Sequence, residues 1–107
     1  LSKIMQEELA RNFHEQHNLS VAAIRPWGII DAEKMVTTDG STIDGFYWGA
    51  IDRRDVASAL VCALEVEDID YECFYVMATP GGFLATDVAY TEIRLGWKPS
   101  ITFDESF

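Results

Sequence analysis

Residues 20–30 read SVAAIRPWGII, and we expect the fold to be organised around this stretch. Residues 21–24 form a short continuous apolar run, which is typical of a strand buried on both faces of a parallel sheet. Proline has no N–H to donate to a sheet, so we expect the strand to end near Pro26. Ligands of open α/β sheets bind beyond the carboxyl ends of the strands, where Trp27 and Gly28 follow. The stretch therefore predicts either a ligand site or a core strand followed by an ordinary loop.

The length and composition indicate a single globular unit. The chain has 107 residues, which is one domain at most, and 49% of them are hydrophobic. No apolar run approaches the roughly 20 residues needed to cross a bilayer. No basic and apolar leader opens the sequence, so we expect a cytoplasmic protein. Because the first residue is Leu1 rather than methionine, we expect a fragment, a processed product or a trimmed chain.

The charge balance is strongly acidic. The chain contains 18 Asp and Glu residues against 8 Lys and Arg residues, for a formal net charge of −10. Such a surface repels phosphate backbones and anionic membranes, so we expect neither nucleic acid nor a membrane as a partner. A salt-adapted source and an ordinary acidic cytosolic protein are alternative explanations of this charge.

The histidine and cysteine residues lack the spacing of a metal site. His14 and His17 share a predicted helix face but have no further ligands beside them, so we expect solvated histidines. Cys62 and Cys73 are too few for a disulfide framework, and we expect both to be free, reduced and buried.

The segment before the organising stretch predicts a helix. Residues 3–17 have Ser2 as a candidate N-cap and Asn18 as a candidate C-terminal stop. Apolar side chains recur at helical spacing along one face, at Met5, Leu9 and Phe13.

The segment after residues 20–30 predicts a long loop, followed by a strand and a helix. Residues 31–45 are polar, and a loop of this length is typical of a lid or binding loop. Residues 46–51 predict a short strand in which Tyr47 and Trp48 face opposite ways. A helix over residues 56–65 is expected next, with Asp52 or Asp55 as its N-cap; we assign Asp55 this structural role rather than a site role.

The last part of the chain predicts one more strand and one more helix. Residues 73–78 are rich in aromatic and β-branched side chains, and residues 79–82, TPGG, should end that strand. Thr86 or Asp87 should cap a short helix that ends near Gly96, and an extended tail follows from Trp97. Alternating helices and buried strands predict an α/β layered fold, of which two or three strands are only part of a sheet.

Four short motifs follow one another along the chain. They are LSK at residues 1–3 with EEL at residues 7–9, IRPWG at residues 24–28, IDRRDVA at residues 51–57 and LGWKP at residues 95–99. In this order they resemble the C-terminal half of an extended short-chain dehydrogenase/reductase, of the NAD-dependent epimerase/dehydratase family. The resemblance covers nearly the whole chain. It implies one partial domain over residues 1–107, the second half of a doubly wound, Rossmann-like parallel sheet with flanking helices.

The resemblance implies roles for particular residues. Lys3 matches the lysine that holds the nicotinamide ribose and lowers the pKa of a catalytic tyrosine, as a nearby ammonium stabilises a phenolate. Pro26 and Trp27 match positions beside the nicotinamide ring. Arg53 or Arg54 would meet a carboxylate or phosphate of the substrate.

The sequence also departs from the family pattern. The tyrosine would stand four residues before Lys3, and the glycine-rich phosphate loop and the acidic ribose-binding residue are absent, since Gly81 and Gly82 lack the required third glycine. We therefore expect NAD or NADP to bind the intact parent protein, and the isolated chain to be inactive and to bind neither tightly. The short segment between Ala78 and Leu95 resembles the uronate dehydrogenase branch of the family.

These observations predict part of an NAD(P)-dependent oxidoreductase or epimerase acting on a sugar, a sugar acid or a related hydroxyl compound. A non-catalytic half-domain that serves binding or assembly, or a truncated remnant, is the alternative. The expected partners are a small sugar-type molecule in the parent and either further copies of the chain or its missing N-terminal half. In the family the first helix packs in a bundle between subunits.

Overall fold

A computed structural model describes residues 2–37, 39–43 and 49–103. The elements in chain order are α1 (Ser2–His17), β1 (Val21–Pro26), β2 (Gly28–Asp31), β3 (Val36–Thr37), β4 (Ala50–Asp52), α2 (Arg53–Glu65), β5 (Tyr71–Val76), α3 (Pro80–Ala85) and α4 (Val88–Leu95). The mixture of helices with a parallel sheet confirms the predicted α/β class. In the part of the chain so described, no helix has the length and apolar character needed to cross a bilayer.

The two longest strands form a parallel pair. β1 and β5 run side by side, with Val21 opposite Tyr71 and Pro26 opposite Val76. The connection between them contains the short strands β2, β3 and β4 and then α2. Parallel neighbours need a long crossover connection of this kind, which usually contains a helix. The predicted end of β1 at its proline is confirmed. The expected burial of β1 on both faces is wrong, because all six of its residues are only half-buried. Among the described residues, β5 is the strand that pairs with β1.

Helices cover both faces of this pair. Tyr71 contacts α1, whose Arg11 lies 4.7 Å from the centre of the tyrosine ring. Phe74 is fully buried and stacks on Tyr90 of α4 at 5.7 Å between ring centres. Because side chains alternate along a strand, these two residues of β5 point to opposite faces. The sheet therefore lies between α1 on one side and α4 on the other.

Helix α1 begins and ends almost where the sequence predicts. Asn18 has a φ of 54°, the left-handed conformation of a helix stop, and its N–H donates to the carbonyl oxygen of His14 at 2.9 Å. The prediction that Ser2 is the N-cap is wrong, since Ser2 is already a helical residue and a cap residue is not.

Helix α1 meets the sheet through charged side chains, and its apolar stripe is exposed. Glu7 forms an ion pair with Arg25 of β1, and Arg11 covers Tyr71. The predicted stripe of Met5, Leu9 and Phe13 is exposed along the helix. The stripe is therefore free to pack against another surface.

A second sheet, made of three shorter strands, follows β1 directly in the chain. β2 pairs with β3 antiparallel and with β4 in parallel. The prediction of a loop over residues 31–45 is therefore wrong for residues 31–37, because Asp31 belongs to β2 and Val36–Thr37 form β3. The Asp31 carboxylate accepts N–H groups of Glu33 at 3.0 Å and Lys34 at 3.3 Å, and this tight turn joins two strands too short to show an alternating pattern. Of the strand predicted over residues 46–51, residues 46–48, with Tyr47 and Trp48, lie outside the described residues.

The two central aspartates of the chain have different roles. Asp52 is the N-cap of α2, and its carboxylate accepts the N–H of Arg54 at 3.1 Å. The capping role assigned to Asp55 is wrong. Asp55 lies in the first turn of α2, where its buried carboxylate accepts hydrogen bonds from Ser100 and Ile101. It thereby fixes the segment after α4 to the start of α2.

The last strand and helices are displaced or extended relative to the prediction. β5 begins and ends two residues earlier than expected. Residues 79–82 do end the strand, but they also begin α3, because Thr79 Oγ1 accepts the N–H of Gly82 at 3.1 Å. Of the two predicted caps of α4, Asp87 is the one used, and Gly96, with a φ of 65°, ends the helix as predicted.

The burial of the cysteine and histidine side chains differs from the expectation, since the side chain of His14 is only 16% exposed rather than solvated. Cys62 and Cys73 are free, although both are half-buried rather than buried. The described residues contain no group of His, Cys, Asp or Glu that would hold a metal ion. Nδ1 of His14 lies 2.6 Å from the carbonyl oxygen of Leu19, just beyond the helix end.

Candidate functional site

The first turn of α1 and the carboxyl end of β1 border one cavity of about 520 Å³. Lys3, Pro26 and Trp27 all line it, so residues from distant parts of the chain meet at one place. The cavity runs along the whole of β1 and reaches its carboxyl end, which is where ligands of parallel sheets usually bind. Arg53 and Arg54 do not line this cavity.

The floor of the cavity is apolar and carries one ion pair. Val21, Ile24 and Ile29 contribute aliphatic side chains. Arg25 Nε donates to Glu7 Oε2 at 2.9 Å, and this hydrogen bond holds the pKa of Glu7 below its usual value. Since the guanidinium and the carboxylate neutralise each other, the floor presents little net charge.

Lys3 supplies a separate positive charge at the cavity. Its side chain is exposed, and among the described residues no carboxylate lies within ion-pairing distance of it. An ammonium beside an apolar cavity and an aromatic ring suits a ligand that combines a planar ring with hydroxyl or anionic groups.

Trp27 is held at the cavity by Gly49, the turn residue just before β4. Gly28 N donates to the carbonyl oxygen of Gly49 at 3.0 Å, which draws the two segments together. A Cβ atom at Gly49 would lie 2.4 Å from Trp27 Cβ and 2.7 Å from its Cγ. Trp27 thus packs directly on the bare backbone of Gly49, and its side chain remains 59% exposed.

Gly49 is a site residue that the sequence reasoning missed. Its role depends on the pairing of β2 with β4, which the sequence did not predict. The one available signal is the glycine itself, since a glycine next to a strand often marks the close approach of another segment.

We expect Gly49→Ala to destabilise the chain by about 1–3 kcal/mol, the usual range for overpacking. The clash involves Trp27 Cβ, which cannot move away by rotation of the ring alone. Urea unfolding of Gly49→Ala, Trp27→Gly and the double variant measures this coupling, because glycine at position 27 removes the Cβ atom with which the new methyl group clashes. In the Trp27→Gly background the alanine should have little effect; an equal loss in both backgrounds would contradict the contact.

The two predicted substrate arginines lie at the start of α2. Arg54 is held by two carboxylates, with Nε donating to Asp52 at 2.8 Å and Nη1 to Glu33 at 3.0 Å. The hydrogen bond to Asp52 raises the pKa of Arg54. Arg53 Nε lies 3.6 Å from an Asp31 oxygen and borders a different cavity, of about 430 Å³. Their contact with a substrate stays a prediction.

Comparison with protein-family models, with curated proteins and with solved structures finds no match to this chain. The function is therefore inferred from the chemistry of the cavity and from the motifs of the sequence.

Proposed function

We propose that this chain is the second half of a Rossmann-like, NAD(P)-dependent oxidoreductase or epimerase, a cytoplasmic protein that acts on a sugar, a sugar acid or a related hydroxyl compound. The observation that carries the proposal is the cavity shared by Lys3, Pro26 and Trp27. These are the residues that the resemblance to the epimerase/dehydratase family assigns to the nicotinamide and its ribose.

The surrounding fold supports the same proposal. β1 and β5 are parallel neighbours whose connection contains α2 after the short strands of the second sheet, and parallel strands joined through helices are typical of dinucleotide-binding sheets. The apolar lining of the cavity, with the Lys3 ammonium beside it, supports this assignment, since it would suit the face of a nicotinamide ring and a neighbouring ribose. The residues present therefore fit the cofactor.

The proposed chemistry divides between cofactor and protein. A bound nicotinamide would supply the hydride acceptor or donor. Lys3 would hold the ribose and, through its positive charge, favour the phenolate form of a tyrosine from the preceding half, so that this tyrosine takes or returns the hydroxyl proton. Trp27, supported by Gly49, would limit the position of the ring.

The test is made on the longer protein that the proposal implies. The coding sequence in front of this chain should contain an in-frame glycine-rich loop and a tyrosine four residues before Lys3. The purified product is incubated with NAD or NADP and a panel of aldoses, uronic acids and nucleotide sugars, while nicotinamide absorbance and epimer formation are followed. A protein with neither motif, or with no turnover of any of these compounds, would contradict the proposal.

The isolated 107-residue chain should not bind NADH or NADPH tightly. Pyrophosphate affinity in dinucleotide-binding folds depends on N–H groups at a glycine-rich helix start, and this sequence has no such motif. Calorimetric titration should give a dissociation constant weaker than about 100 µM, or about 5 kcal/mol of binding free energy. Micromolar binding would show that the chain contains a phosphate site of its own.

A second candidate function is an assembly module without catalysis. The observation in its favour is the exposed apolar stripe of α1, at Met5, Leu9 and Phe13. In the oxidoreductase proposal the same stripe would contact another subunit, as the corresponding helix does in the family that the sequence resembles. Turnover by the longer protein separates the two candidates, because an assembly module would show none.

A further inference from the structure

Lys3 and Glu7 are one helical turn apart on α1, and both line the cavity of about 520 Å³. Opposite charges four residues apart on a helix are close enough to pair with each other. Among the described residues, however, Lys3 takes part in none of the ion pairs, and the Glu7 carboxylate turns to β1 instead. The structure therefore keeps a natural partner of Lys3 away from it.

Arg25 of β1 holds the Glu7 carboxylate through both of its oxygens. Nε donates to Oε2 at 2.9 Å and Nη2 donates to Oε1, a bidentate contact that fixes the direction of the carboxylate. The remaining nitrogen, Nη1, donates to the hydroxyl of Tyr75 at 3.3 Å. Tyr75 and Cys73 are the titratable groups of β5 beside the guanidinium. Because all three nitrogens of Arg25 have partners, Arg25 is committed to Glu7 and β5 rather than to a ligand.

The cavity carries a net positive charge only while Arg25 neutralises Glu7. Among the described residues that line it, the charged ones are Lys3, Arg25 and Glu7, two cations against one anion. Arg11 is the other cation within about a turn of Glu7, but its guanidinium lies 4.7 Å from the centre of the Tyr71 ring and does not line the cavity. Loss of the Arg25 charge would leave Lys3 and Glu7 as an opposed pair.

We propose that Arg25 is a positioning residue of the cavity: it neutralises Glu7 and so leaves the ammonium of Lys3 free to act on a ligand and on the tyrosine of the preceding half. The effect on turnover rests on the proposed function. Arg25 acts through Glu7 and Lys3 and does not itself touch the reacting groups. This role differs from that of a purely structural ion pair, which would serve only to hold α1 against the sheet.

Turnover of the longer protein with NAD or NADP separates the two roles. Arg25→Gln should lower kcat about tenfold near neutral pH, within the range by which a neighbouring charge changes an ionisation. The double variant Arg25→Gln/Glu7→Gln should recover most of this loss, because the charge that opposes Lys3 is then gone. Glu7→Gln alone should lose less than Arg25→Gln. A structural ion pair predicts no such recovery of turnover, since the double variant still lacks the contact between α1 and β1.

The pH dependence of kcat identifies the cause of the loss. Without a net positive charge beside it, the tyrosine should ionise at higher pH, so the profile of Arg25→Gln should move to higher pH and that of the double variant should return. Arg94→Gln is the matched control, because Arg94 Nε and Nη2 donate to Glu72 at 2.8 and 2.7 Å in the same bidentate way. Neither Arg94 nor Glu72 lines the cavity, so kcat and its pH profile should be unchanged in this control.

Amine labelling of the 107-residue chain tests the same contact without a cofactor. A carboxylate beside an amine favours the unreactive ammonium, so acylation of Lys3 should be about twofold slower in Arg25→Gln, the strength of an ion pair between residues four apart on a helix. Peptide mass spectrometry gives this rate relative to that of Lys98, an exposed lysine outside the cavity. The double variant should restore the ratio. If Arg25→Gln does not fold, as judged by circular dichroism, Arg25→Met removes the same charge and takes its place.

Three results would overturn the proposal. The first is an unchanged labelling ratio in Arg25→Gln, which would show that the freed Glu7 pairs with Arg11 or stays apart from Lys3. The second is a kcat of the double variant as low as that of Arg25→Gln. The third is an equal loss of kcat in Arg25→Gln and Arg94→Gln. A wild-type protein without turnover would instead contradict the proposed function, and the labelling ratio would still decide whether Arg25 keeps Glu7 from Lys3.

Discussion

Replacement of Asp55 by alanine should destabilise the chain by about 3 kcal/mol, the range found when several hydrogen bonds to one buried carboxylate are lost. Asp55 is 3% exposed. Its Oδ1 accepts Ser100 N at 3.0 Å and Ser100 Oγ at 2.7 Å, and its Oδ2 accepts Ile101 N at 3.0 Å. Alanine leaves these donors without their acceptor and opens a space under the segment after α4.

Urea unfolding followed by circular dichroism measures the loss. Asp70→Ala is the matched control, because the Asp70 side chain is 85% exposed and lies 3.5 Å from His14. It should change the free energy of unfolding by less than about 0.5 kcal/mol. Asp55→Asn should fall between the two, since its amide keeps one acceptor and turns the other into a donor. Equal stability of Asp55→Ala and Asp70→Ala would show that the segment after α4 is held by other contacts.

In the longer protein, Lys3→Ala should lower turnover about a hundredfold near neutral pH, within the usual range for support of a general acid–base group. It should also weaken cofactor binding, because a single ammonium serves both the ribose and the tyrosine. This expectation rests on the proposed function. Steady-state kinetics with the preferred cofactor and a cofactor titration measure the two effects separately.

Lys98→Ala is the control for this experiment, since Lys98 is an exposed lysine that follows α4 and does not line the cavity. It should leave both quantities unchanged. Lys3→Arg retains a positive charge and should recover part of the activity, and the pH dependence of turnover should shift in Lys3→Ala as the phenol loses its cationic neighbour. Turnover of Lys3→Ala within a factor of two of the wild type would contradict the assigned role of Lys3.

The elements predicted well are those whose signals lie within a few residues. Proline ends β1, Asn18 ends α1 and Gly96 ends α4. In each case the residue acts on its own backbone, through a missing N–H or a left-handed conformation. Asp52 and Asp87 cap their helices by bonds to neighbours two or three residues ahead. Such interactions form in almost any tertiary setting, so the sequence carries them directly.

The candidate site was predicted in part. The motifs selected Lys3, Pro26 and Trp27, and the fold places them around one cavity. They also selected Arg53 and Arg54, which lie at a different part of the surface. Two of the carboxylates around the arginines, those of Asp31 and Glu33, belong to a turn that the sequence did not distinguish from a loop. A motif indicates which residues are suited to a chemistry, but their distances depend on how the intervening strands pair.

The sequence by itself determined the α/β class, the two main strands and the residues that end α1 and α4. Tertiary structure alone decided that Asp55 binds Ser100, that Trp27 rests on Gly49, that α1 turns charged residues towards the sheet and that β1 pairs with β5. The physical reason is the separation in sequence between the residues that interact. Caps, turns and periodicity arise from forces between neighbours in the chain. These other contacts join residues that are distant in sequence, and their formation depends on the packing of the whole molecule.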